Sequence, residues 1–544
     1  MTVYNRRGFL AGAAAAGAGL ASGVALGGTP ASAGTAGLTT GTTAGTRCVP
    51  EFGPFVVRPG DPRFDSLRSG HNTRFTGSPD QVTVVGSAEQ VVDAVGAAVA
   101  AGRRLVARSG GHCMEDFTTT PDVKAVVDLS QMTAVYHDVR RGAFAVEPGA
   151  LVGEVAETLF KGWGVMIPFT GCATVGVGGH IPGGGYGFFS RKHGLSVDHL
   201  NAVEVVTVDA SGRPRLIVAT DSPSDPDRDL FWAHTGGGAG NFGIVTRYWF
   251  RTPGVTSADP ARLLPRTGNQ RARLLMWSWD AMTEQAFTTL VGNYCTWYQN
   301  NSAPGSPAVN LWGTLTTNHR SAGTMMLLAG VDESVPNGQA MLDAHFAAVT
   351  SGVGVEPMVD VQETTAWLDP RNWVSDPAGR QKNKTADLRR SYTPAQIATL
   401  WRHLSDDSYY NPNALVNITG FGGRINSVAP GATAAVHRDS VLRVYFTAGG
   451  WSSAYEDETN MAWVRNLYRE LYQDTGGVPV PNAVNAGAFV NYPDRDLADP
   501  AWNTSGTPWH ALYYRDNYPR LQRIKKRYDP RNVFRHGLSI GLPS

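Results

Sequence analysis

Three glycine-rich segments contain the residues whose types and spacing suggest chemistry. Residues 108–112 read Arg-Ser-Gly-Gly-His after a predicted strand, and residues 171–187 contain a cysteine, a histidine and a dense series of glycines. A third glycine series occupies residues 236–243. Consecutive glycines after a strand let backbone N–H groups close around a phosphate, although an ordinary turn also accounts for the first segment taken alone. Together the segments predict one large, planar, phosphorylated cofactor.

A Rossmann dinucleotide fingerprint is the main alternative for residues 171–187. That motif needs a third glycine at a fixed distance, followed by a helix. Gly176 and Gly178 are followed by Ile181 where the third glycine should stand, and no helix signal follows. The spacing therefore disfavours a Rossmann site.

Strands and helices alternate around these segments up to about residue 256. A capping box at 87–90 begins a predicted helix that ends at Gly102, and a second helix is predicted over 151–161. Beyond residue 256 the pattern predicts helices over 276–298 and 461–474, with strands of a second sheet at 310–316, 325–330 and 443–448. The sequence thus predicts an α+β fold.

Composition limits the function classes. The 544 residues carry a net charge of +1, and 42% of them are hydrophobic, which indicates a globular protein with a large core. The balanced charge gives no reason to expect nucleic acid or acidic lipid as a partner. The four cysteines (Cys48, Cys113, Cys172 and Cys295) include no CxxC pair, so no metal site is expected.

The N-terminus resembles a twin-arginine export signal. Arg6 and Arg7 precede a weakly apolar stretch over 11–26, and Ala31-Ser32-Ala33 forms a cleavage site. We expect a signal peptide over 1–33, a leader over 34–75 and a secreted protein. A membrane anchor is the alternative, but the stretch is shorter than the roughly 20 residues that a span needs.

Four motifs together resemble a known family. The Arg-Ser-Gly-Gly-His loop, the Cys172 segment and the Gly-Asn-Phe-Gly run at 240–243 resemble the FAD domain of the vanillyl-alcohol oxidase/p-cresol methylhydroxylase superfamily. Asn-Tyr-Pro-Asp at 491–494 and the tail 528–534 resemble the berberine bridge enzyme subfamily. The resemblance covers residue 75 to the end. It implies a p-cresol methylhydroxylase-type FAD-binding domain over 76–256 and a substrate domain over 257–485, with an antiparallel sheet covered by helices. A C-terminal segment over 486–544 would return to the FAD domain.

The resemblance also implies a flavin bound by two covalent bonds. His112 would bond the 8α-methyl of FAD and Cys172 would bond C6, whereas the alternatives are a core histidine and a buried thiol or disulfide. Val175 corresponds to the residue that gates dioxygen access in this subfamily, with plain packing as the alternative. Other expected flavin contacts are Arg108, Ser109, Gly110, Gly111, Gly176, Gly178, Gly179, Gly243, Ile244 and Asn532.

Tyr492 is the implied general base. A phenol has a pKa near 10, so it needs a nearby positive charge or a hydrogen bond to its phenolate to act at neutral pH. Packing against the flavin edge is the alternative role. Antibiotic-glycoside oxidases of this subfamily use a second tyrosine on a middle strand; Phe421 stands there in this sequence, which disfavours two-step oxidation.

The implied reaction converts an alcohol (CH–OH) to a carbonyl by hydride transfer to FAD, and dioxygen then reoxidises the flavin to give hydrogen peroxide. We expect the substrate to be a natural product, either a polyketide or its sugar, because length and export signal resemble antibiotic-tailoring oxidases. The alternatives are an oligosaccharide oxidase that forms a lactone and a secreted binding protein with an inactive flavin fold. The oligomeric state is left open.

Overall fold

The computed structural model describes residues 52–374 and 378–543. The predicted signal peptide and residues 34–51 of the leader, which include Cys48, lie outside the described residues. Three β-sheets organise the rest of the chain. The predicted α+β class is therefore confirmed.

The first sheet presents the Arg-Ser-Gly-Gly-His loop. Its strands lie in the order β1-β2-β4-β3, and β2, β4 and β3 are parallel. Ser87 caps helix α2 by accepting a hydrogen bond from the Gln90 N–H, as the capping box predicted. Because β3 ends at Arg108, residues 109–112 emerge from the carboxyl edge of this sheet. The elements are β1 (Phe55–Val57), α1 (Phe64–Leu67), β2 (Gln81–Val84), α2 (Ala88–Ala100), β3 (Leu105–Arg108) and β4 (Ala125–Asp128).

The second sheet is antiparallel, with the order β5-β6-β9-β7-β8. The dense glycine segment follows α3 and includes one helical turn, α4, although no helix was expected after its glycines. The elements are β5 (Val135–Asp138), β6 (Ala143–Val146), α3 (Val152–Trp163), α4 (Val177–His180), α5 (Ser190–His193), β7 (Leu200–Val208), β8 (Pro214–Thr220), α6 (Arg228–Ala233) and β9 (Ile244–Phe250).

The third sheet is the predicted antiparallel sheet with helices packed on it. Its order is β13-β10-β12-β11-β15-β16-β14-β17. The predicted helix over 276–298 is wrong at its start, because residues 276–278 form the end of β10. All three pair with β12, and residue 276 also pairs with β13. The helix begins at Glu284, after Thr283 caps it. The elements are β10 (Gln270–Ser278), α7 (Glu284–Asn301), β11 (Leu311–Asn318), β12 (Thr324–Asp332), α8 (Gly338–Thr350), β13 (Val359–Thr365), β14 (Arg380–Leu388), α9 (Pro394–Leu404), β15 (Leu415–Gly420), β16 (Leu442–Trp451), α10 (Asp457–Leu471) and β17 (Asn485–Gly487).

The tail returns to the segments that precede the third sheet. It contains α11 (Trp509–Tyr514) and α12 (Tyr518–Tyr528). The buried Lys525 ammonium donates to the Asn241 carbonyl at 2.6 Å and to the Asp529 carboxylate at 2.6 Å, which holds the end of α12 against the third glycine series. The domain boundaries at 76, 256 and 485 stay predictions.

No helix in the described part of the chain is long and apolar enough to cross a membrane. Within residues 52–374 and 378–543 there is also no group of three or more His, Cys, Asp or Glu side chains that could hold a metal ion.

Candidate active site

A cavity of about 270 Å³ lies where the three glycine-rich segments meet the Asn-Tyr-Pro-Asp motif. Most of the predicted site residues line it: Arg108, Ser109, Gly110, Gly111, His112, Val175, Gly176, Gly178, Gly179, Gly243, Ile244 and Tyr492. Cys172 and Asn532 are not among the lining residues. The tail instead contributes Phe534, His536 and Leu538, while Asn532 occupies a left-handed turn with φ 52°.

The glycines have two different structural roles in the cavity wall. A Cβ on Gly110 or Gly176 would overlap the backbone of the other, so both glycines are needed for the first two segments to touch. A Cβ on Gly179 would meet nothing within 4 Å. The first pair serves loop-to-loop packing, and Gly179 leaves an accessible backbone in the cavity wall.

His112 and Cys172 approach each other through one hydroxyl group, and we call these residues with Thr174 the tether side of the site. Thr174 Oγ1 lies 3.2 Å from His112 Nε2 and 3.5 Å from Cys172 Sγ. Burial, with a smaller contribution from His71, lowers the pKa of His112 to about 4. The imidazole is therefore neutral at pH 7 and keeps a lone pair. Cys172 is a free thiol, so its disulfide alternative does not hold in the structure.

A second group of functional residues in the cavity wall contains Tyr492 and another tyrosine. The Tyr492 hydroxyl lies 3.3 Å from the Tyr186 hydroxyl, and both residues line the cavity. The preceding Asn491 donates its side-chain amide to the His180 carbonyl at 2.8 Å, and its side chain fills the space beside Gly183 where a Cβ would stand. The glycine segment and the Tyr492 motif are thus fixed against each other.

Arg443 brings a buried positive charge to these tyrosines. Its guanidinium forms two hydrogen bonds to the Asp387 carboxylate, at 2.7 and 2.8 Å. It lies 4.4 Å from the centroid of the Tyr186 ring and 3.7 Å from that of Phe489. We call Tyr186, Tyr492 and Arg443 the proton-transfer side. Phe421, the residue after β15, also packs against Arg443 and has no hydroxyl that could act as a second base.

On the proton-transfer side, burial and the charge of Arg443 shift the tyrosine pKa values in opposite directions. Burial raises the pKa of Tyr492 well above 10, and the neighbouring Tyr186 raises it further, while Arg443 opposes the rise. Burial also raises the pKa of Tyr186, but there Arg443 and the hydrogen bond with Tyr492 both oppose it. At neutral pH the two tyrosines are protonated. Arg443 is the cation that would stabilise the phenolate when one of them loses its proton.

Sequence reasoning missed Tyr186 and Arg443. Tyr186 lies inside the dense glycine segment, where it was not singled out. Arg443 begins the predicted strand over 443–448. A charged residue between two buried apolar neighbours at the start of a strand is unusual, and this signal could have identified it.

A buried network of charges joins both sides to the third sheet. Lys382 on β14 donates to Glu115 at 2.5 Å and to Asp494 at 2.7 Å. Lys384 contacts the second oxygen of Asp494 at 2.7 Å and Asp496 at 2.8 Å. Glu115 closely follows His112 in sequence and Asp494 closely follows Tyr492, so the network fixes both functional loops on one strand. We call it the lysine network.

These residues fit a flavin dinucleotide. The cavity runs along the backbone of the glycine-rich segments, whose N–H groups suit phosphate oxygens. It also leaves His180 Nε2 in its wall, buried and without a hydrogen-bond partner among the described residues. A buried polar atom of this kind normally has a partner, which a bound cofactor would supply.

Known proteins support the same assignment. A family model described as FAD binding domain matches residues 79–214, and one described as berberine and berberine like matches residues 488–541. The aclacinomycin-N/aclacinomycin-A oxidase of Streptomyces galilaeus is 49% identical over 99% of both chains. The hexose oxidase of Chondrus crispus is 31% identical over 89% of this chain and 94% of its own.

Solved structures share the whole fold. Aclacinomycin oxidoreductase matches with a TM-score of 0.87 and 50% identity, covering 90% of this chain and 99% of that one. A glycopeptide hexose oxidase complexed with teicoplanin matches with a TM-score of 0.87 and 44% identity, covering 91% and 100%. The protein is an FAD-dependent oxidoreductase that uses dioxygen. The chain therefore belongs to the berberine bridge enzyme-like FAD-linked oxidases.

Proposed function

We propose that this protein is an exported oxidase that converts an alcohol (CH–OH) of a natural product, a polyketide or its attached sugar, to a ketone, with dioxygen reduced to hydrogen peroxide. One observation carries the proposal: two tyrosine hydroxyls lie 3.3 Å apart in the wall of the flavin cavity, beside a buried guanidinium. Bound FAD would accept the hydride from the substrate carbon and pass the electrons to dioxygen. The chain itself must then accept the hydroxyl proton.

Tyr492 accepts that proton in this proposal. Its phenolic oxygen is the group that the substrate hydroxyl would contact, and Tyr186 holds that oxygen by a hydrogen bond. Tyr492 must first lose its own proton, since only its phenolate can accept one; the positive charge of Arg443 favours that phenolate, and Asp387 keeps the guanidinium in place. Proton removal makes the substrate carbon a far better hydride donor, so the two transfers support each other.

The flavin is held by bonds to His112 and Cys172. The neutral His112 imidazole and the free Cys172 thiol are two nucleophiles that share Thr174 as a neighbour. This spacing supports attachment at two adjacent positions of one planar ring. Two bonds would fix the ring without enclosing it, so the site can stay open to a bulky substrate.

The substrate class rests on the relatives. Two of them are named for oxidation of aclacinomycin and of a glycopeptide hexose, and both align along nearly all of this chain. The hexose oxidase of Chondrus crispus favours the second candidate, oxidation of a sugar at its reducing end to a lactone. The first candidate has the higher identities.

Two further parts of the proposal concern dioxygen and export. Val175 lines the cavity and is the residue that would gate dioxygen approach to the flavin. The pair Arg6 and Arg7, with the cleavage site ending at Ala33, supports export.

A peroxide-coupled substrate screen tests the proposed reaction. Aclacinomycin and teicoplanin would be compared with free hexoses and oligosaccharides, and the products identified by NMR. We expect peroxide and a ketone with a glycosylated natural product. Turnover of free sugars alone, with lactone as product, would establish the second candidate instead.

A separate measurement tests the attachment. After acid precipitation the protein should stay yellow, and its intact mass should include one FAD. Apoprotein with free FAD in the supernatant would contradict the covalent bonds while leaving the reaction itself untouched.

A further inference from the structure

Thr174 is the one side chain of the tether side to which neither the sequence nor the relatives assign a role. Its oxygen lies 3.2 Å from His112 Nε2 and 3.5 Å from Cys172 Sγ, so a single hydroxyl contacts both proposed nucleophiles. We propose that Thr174 is a positioning residue for flavin attachment: it holds the His112 proton on Nε2, which leaves Nδ1 as the nitrogen that bonds the flavin, and it orients the Cys172 sulfur. This inference rests on the proposed attachment through His112 and Cys172.

The number of hydrogens that each group can donate decides the direction of the hydrogen bonds around Thr174. A neutral imidazole has one N–H and one bare nitrogen, and a threonine hydroxyl has a single hydrogen to donate. The reactive form of cysteine is the thiolate, which accepts hydrogen bonds. When the Thr174 hydroxyl donates to Cys172 Sγ, its oxygen is left to accept the N–H of His112 Nε2.

That direction places both nucleophiles in their reactive forms at once. His112 then has its lone pair on Nδ1, and Cys172 has a stabilised thiolate. In the opposite direction the thiol donates to Thr174, the hydroxyl donates to Nε2, and the imidazole proton stays on Nδ1. Both groups would then be unreactive.

The protein holds Thr174 in place from both sides. The Ala173 N–H donates to the Val374 carbonyl at 3.0 Å, and the Ala173 carbonyl accepts from the Gly153 N–H at 2.9 Å. The carbonyl of Val175 accepts from the Val152 N–H at 2.9 Å, at the start of α3. A β-branched threonine has few χ1 states, so a fixed backbone also fixes its oxygen.

The burial of His112 is consistent with this role. Burial and the adjacent His71 lower the pKa of the imidazole to about 4, so the ring is neutral and its single proton must reside on one nitrogen or the other. His71 packs against the ring, with centroids 4.1 Å apart. The hydrogen bond to Thr174 is what selects the nitrogen.

The proposed attachment of the flavin to His112 is an oxidation that releases two electrons and two protons. The Nδ1 lone pair forms the bond to the 8α-carbon, which loses one C–H proton, and the alkylated imidazole loses the proton that Nε2 carried. The two electrons of the broken C–H bond pass through the flavin to dioxygen, the oxidant of the established reaction, and with the two protons they give hydrogen peroxide. Thr174 Oγ1 is the acceptor next to the departing Nε2 proton.

The unmodified protein gives the first test. Hydrolysis to the histidyl-flavin, followed by NMR, identifies the nitrogen that carries the flavin. We expect Nδ1. Attachment through Nε2 would overturn the inference, because that nitrogen could then no longer donate to Thr174. Absence of any covalent flavin would overturn the proposed attachment as well, so the two failures are distinguishable.

Variants give the second test, again read by mass spectrometry of flavin-bearing peptides rather than by activity. Thr174→Val keeps the shape and removes the hydroxyl, and we expect doubly attached protein to fall by about tenfold, the loss typical of a buried donor without its partner. The histidyl-flavin that remains should be a mixture of Nδ1 and Nε2 isomers. Thr174→Ser keeps the hydroxyl and should restore both the amount and the Nδ1 linkage.

A distant threonine provides the matched control. Thr399 on α9 donates its hydroxyl to the Ala395 carbonyl, so Thr399→Val makes the same chemical change away from the cavity and should attach flavin as the unmodified protein does. Thr174→Val protein that is fully and uniformly attached through Nδ1 would overturn the inference. If Thr174→Val does not fold, the linkage nitrogen of the unmodified protein and the behaviour of Thr174→Ser still decide it.

Discussion

The tether side and the proton-transfer side of the cavity are built on opposite principles. On the tether side, His112 and Cys172 are half-buried and both contact the Thr174 hydroxyl. On the proton-transfer side, Tyr492 contacts Tyr186, whose ring packs against a buried guanidinium with its own carboxylate partner. Nucleophiles that need a lone pair sit in neutral surroundings, whereas a phenol that must become an anion sits near a fixed cation.

The largest effect should come from removing the phenolic oxygen of Tyr492. Tyr492→Phe keeps the ring, so flavin attachment should be unchanged, but the rate of flavin reduction by substrate should fall by about 10²–10⁴-fold, the range for general-base catalysis. Anaerobic stopped-flow spectroscopy measures this rate. Tyr472→Phe is the matched control, since that buried hydroxyl contacts only Tyr392 among the described side chains and does not line the cavity. Near-normal reduction by Tyr492→Phe would move the base to another residue.

Removing the cation should cost stability as well as rate. Arg443→Met leaves the fully buried Asp387 carboxylate without its partner, so we expect the free energy of unfolding to fall by about 3–5 kcal/mol. Denaturant unfolding measures the loss. Arg443→Lys retains the charge and should lose less. A stable Arg443→Met protein with normal flavin reduction would mean that the two sides do not differ as described.

The pH profile distinguishes the two sides without mutation. Because burial holds the pKa of Tyr492 well above 10, the phenolate fraction at lower pH rises by about tenfold for each pH unit. The rate of flavin reduction should therefore rise with pH and reach no plateau below pH 10, and Tyr492→Phe should lose this dependence. A plateau near neutral pH would show that the base has a much lower pKa than the structure gives Tyr492.

Removing one of the two proposed flavin bonds on the tether side should have a smaller effect. Cys172→Ala should stay yellow after acid precipitation through His112, and the flavin should be a weaker oxidant because an electron-withdrawing attachment is lost. A decrease of about 30 mV in a two-electron couple corresponds to about 1.4 kcal/mol, so flavin reduction should slow by about tenfold at most. The double variant with His112→Ala should release the flavin. Free flavin in the single variant would contradict the His112 bond.

The smallest and most selective effect concerns dioxygen. Val175→Leu should slow reoxidation of the reduced flavin and leave anaerobic reduction by substrate unchanged, because the larger side chain narrows the approach to the cavity. Overpacking typically costs about 1–3 kcal/mol of stability. Stopped-flow traces of both half-reactions measure the difference, with Val175→Ala as the smaller control. Equal slowing of both half-reactions would identify Val175 as a packing residue.

Sequence reasoning located the tether side better than the proton-transfer side, for a physical reason. The loop 108–112 and the segment 171–187 are local motifs whose glycines and nucleophiles are adjacent in the chain. Tyr186 and Tyr492 are distant in sequence, and only the pairing of β14, β15 and β16 brings Arg443 to them. The same reason explains the helix wrongly begun at 276, since strand pairing at the end of β10 overrides the local helical pattern. Asn532 was expected at the flavin from its motif alone, but in the structure Phe534 and His536 of the tail line the cavity.

The lysine network has a consequence for engineering new substrate ranges. Lys382 and Lys384 belong to the stretch that a swap of residues 257–485 between relatives would replace, whereas Glu115 and Asp494 lie outside it. A chimera that imported other residues at the two lysine positions would leave buried carboxylates without counterions, a change that typically costs about 3–5 kcal/mol. Recombination libraries should therefore exchange the pocket while keeping these two lysines, so that a new specificity does not come with a protein that fails to fold.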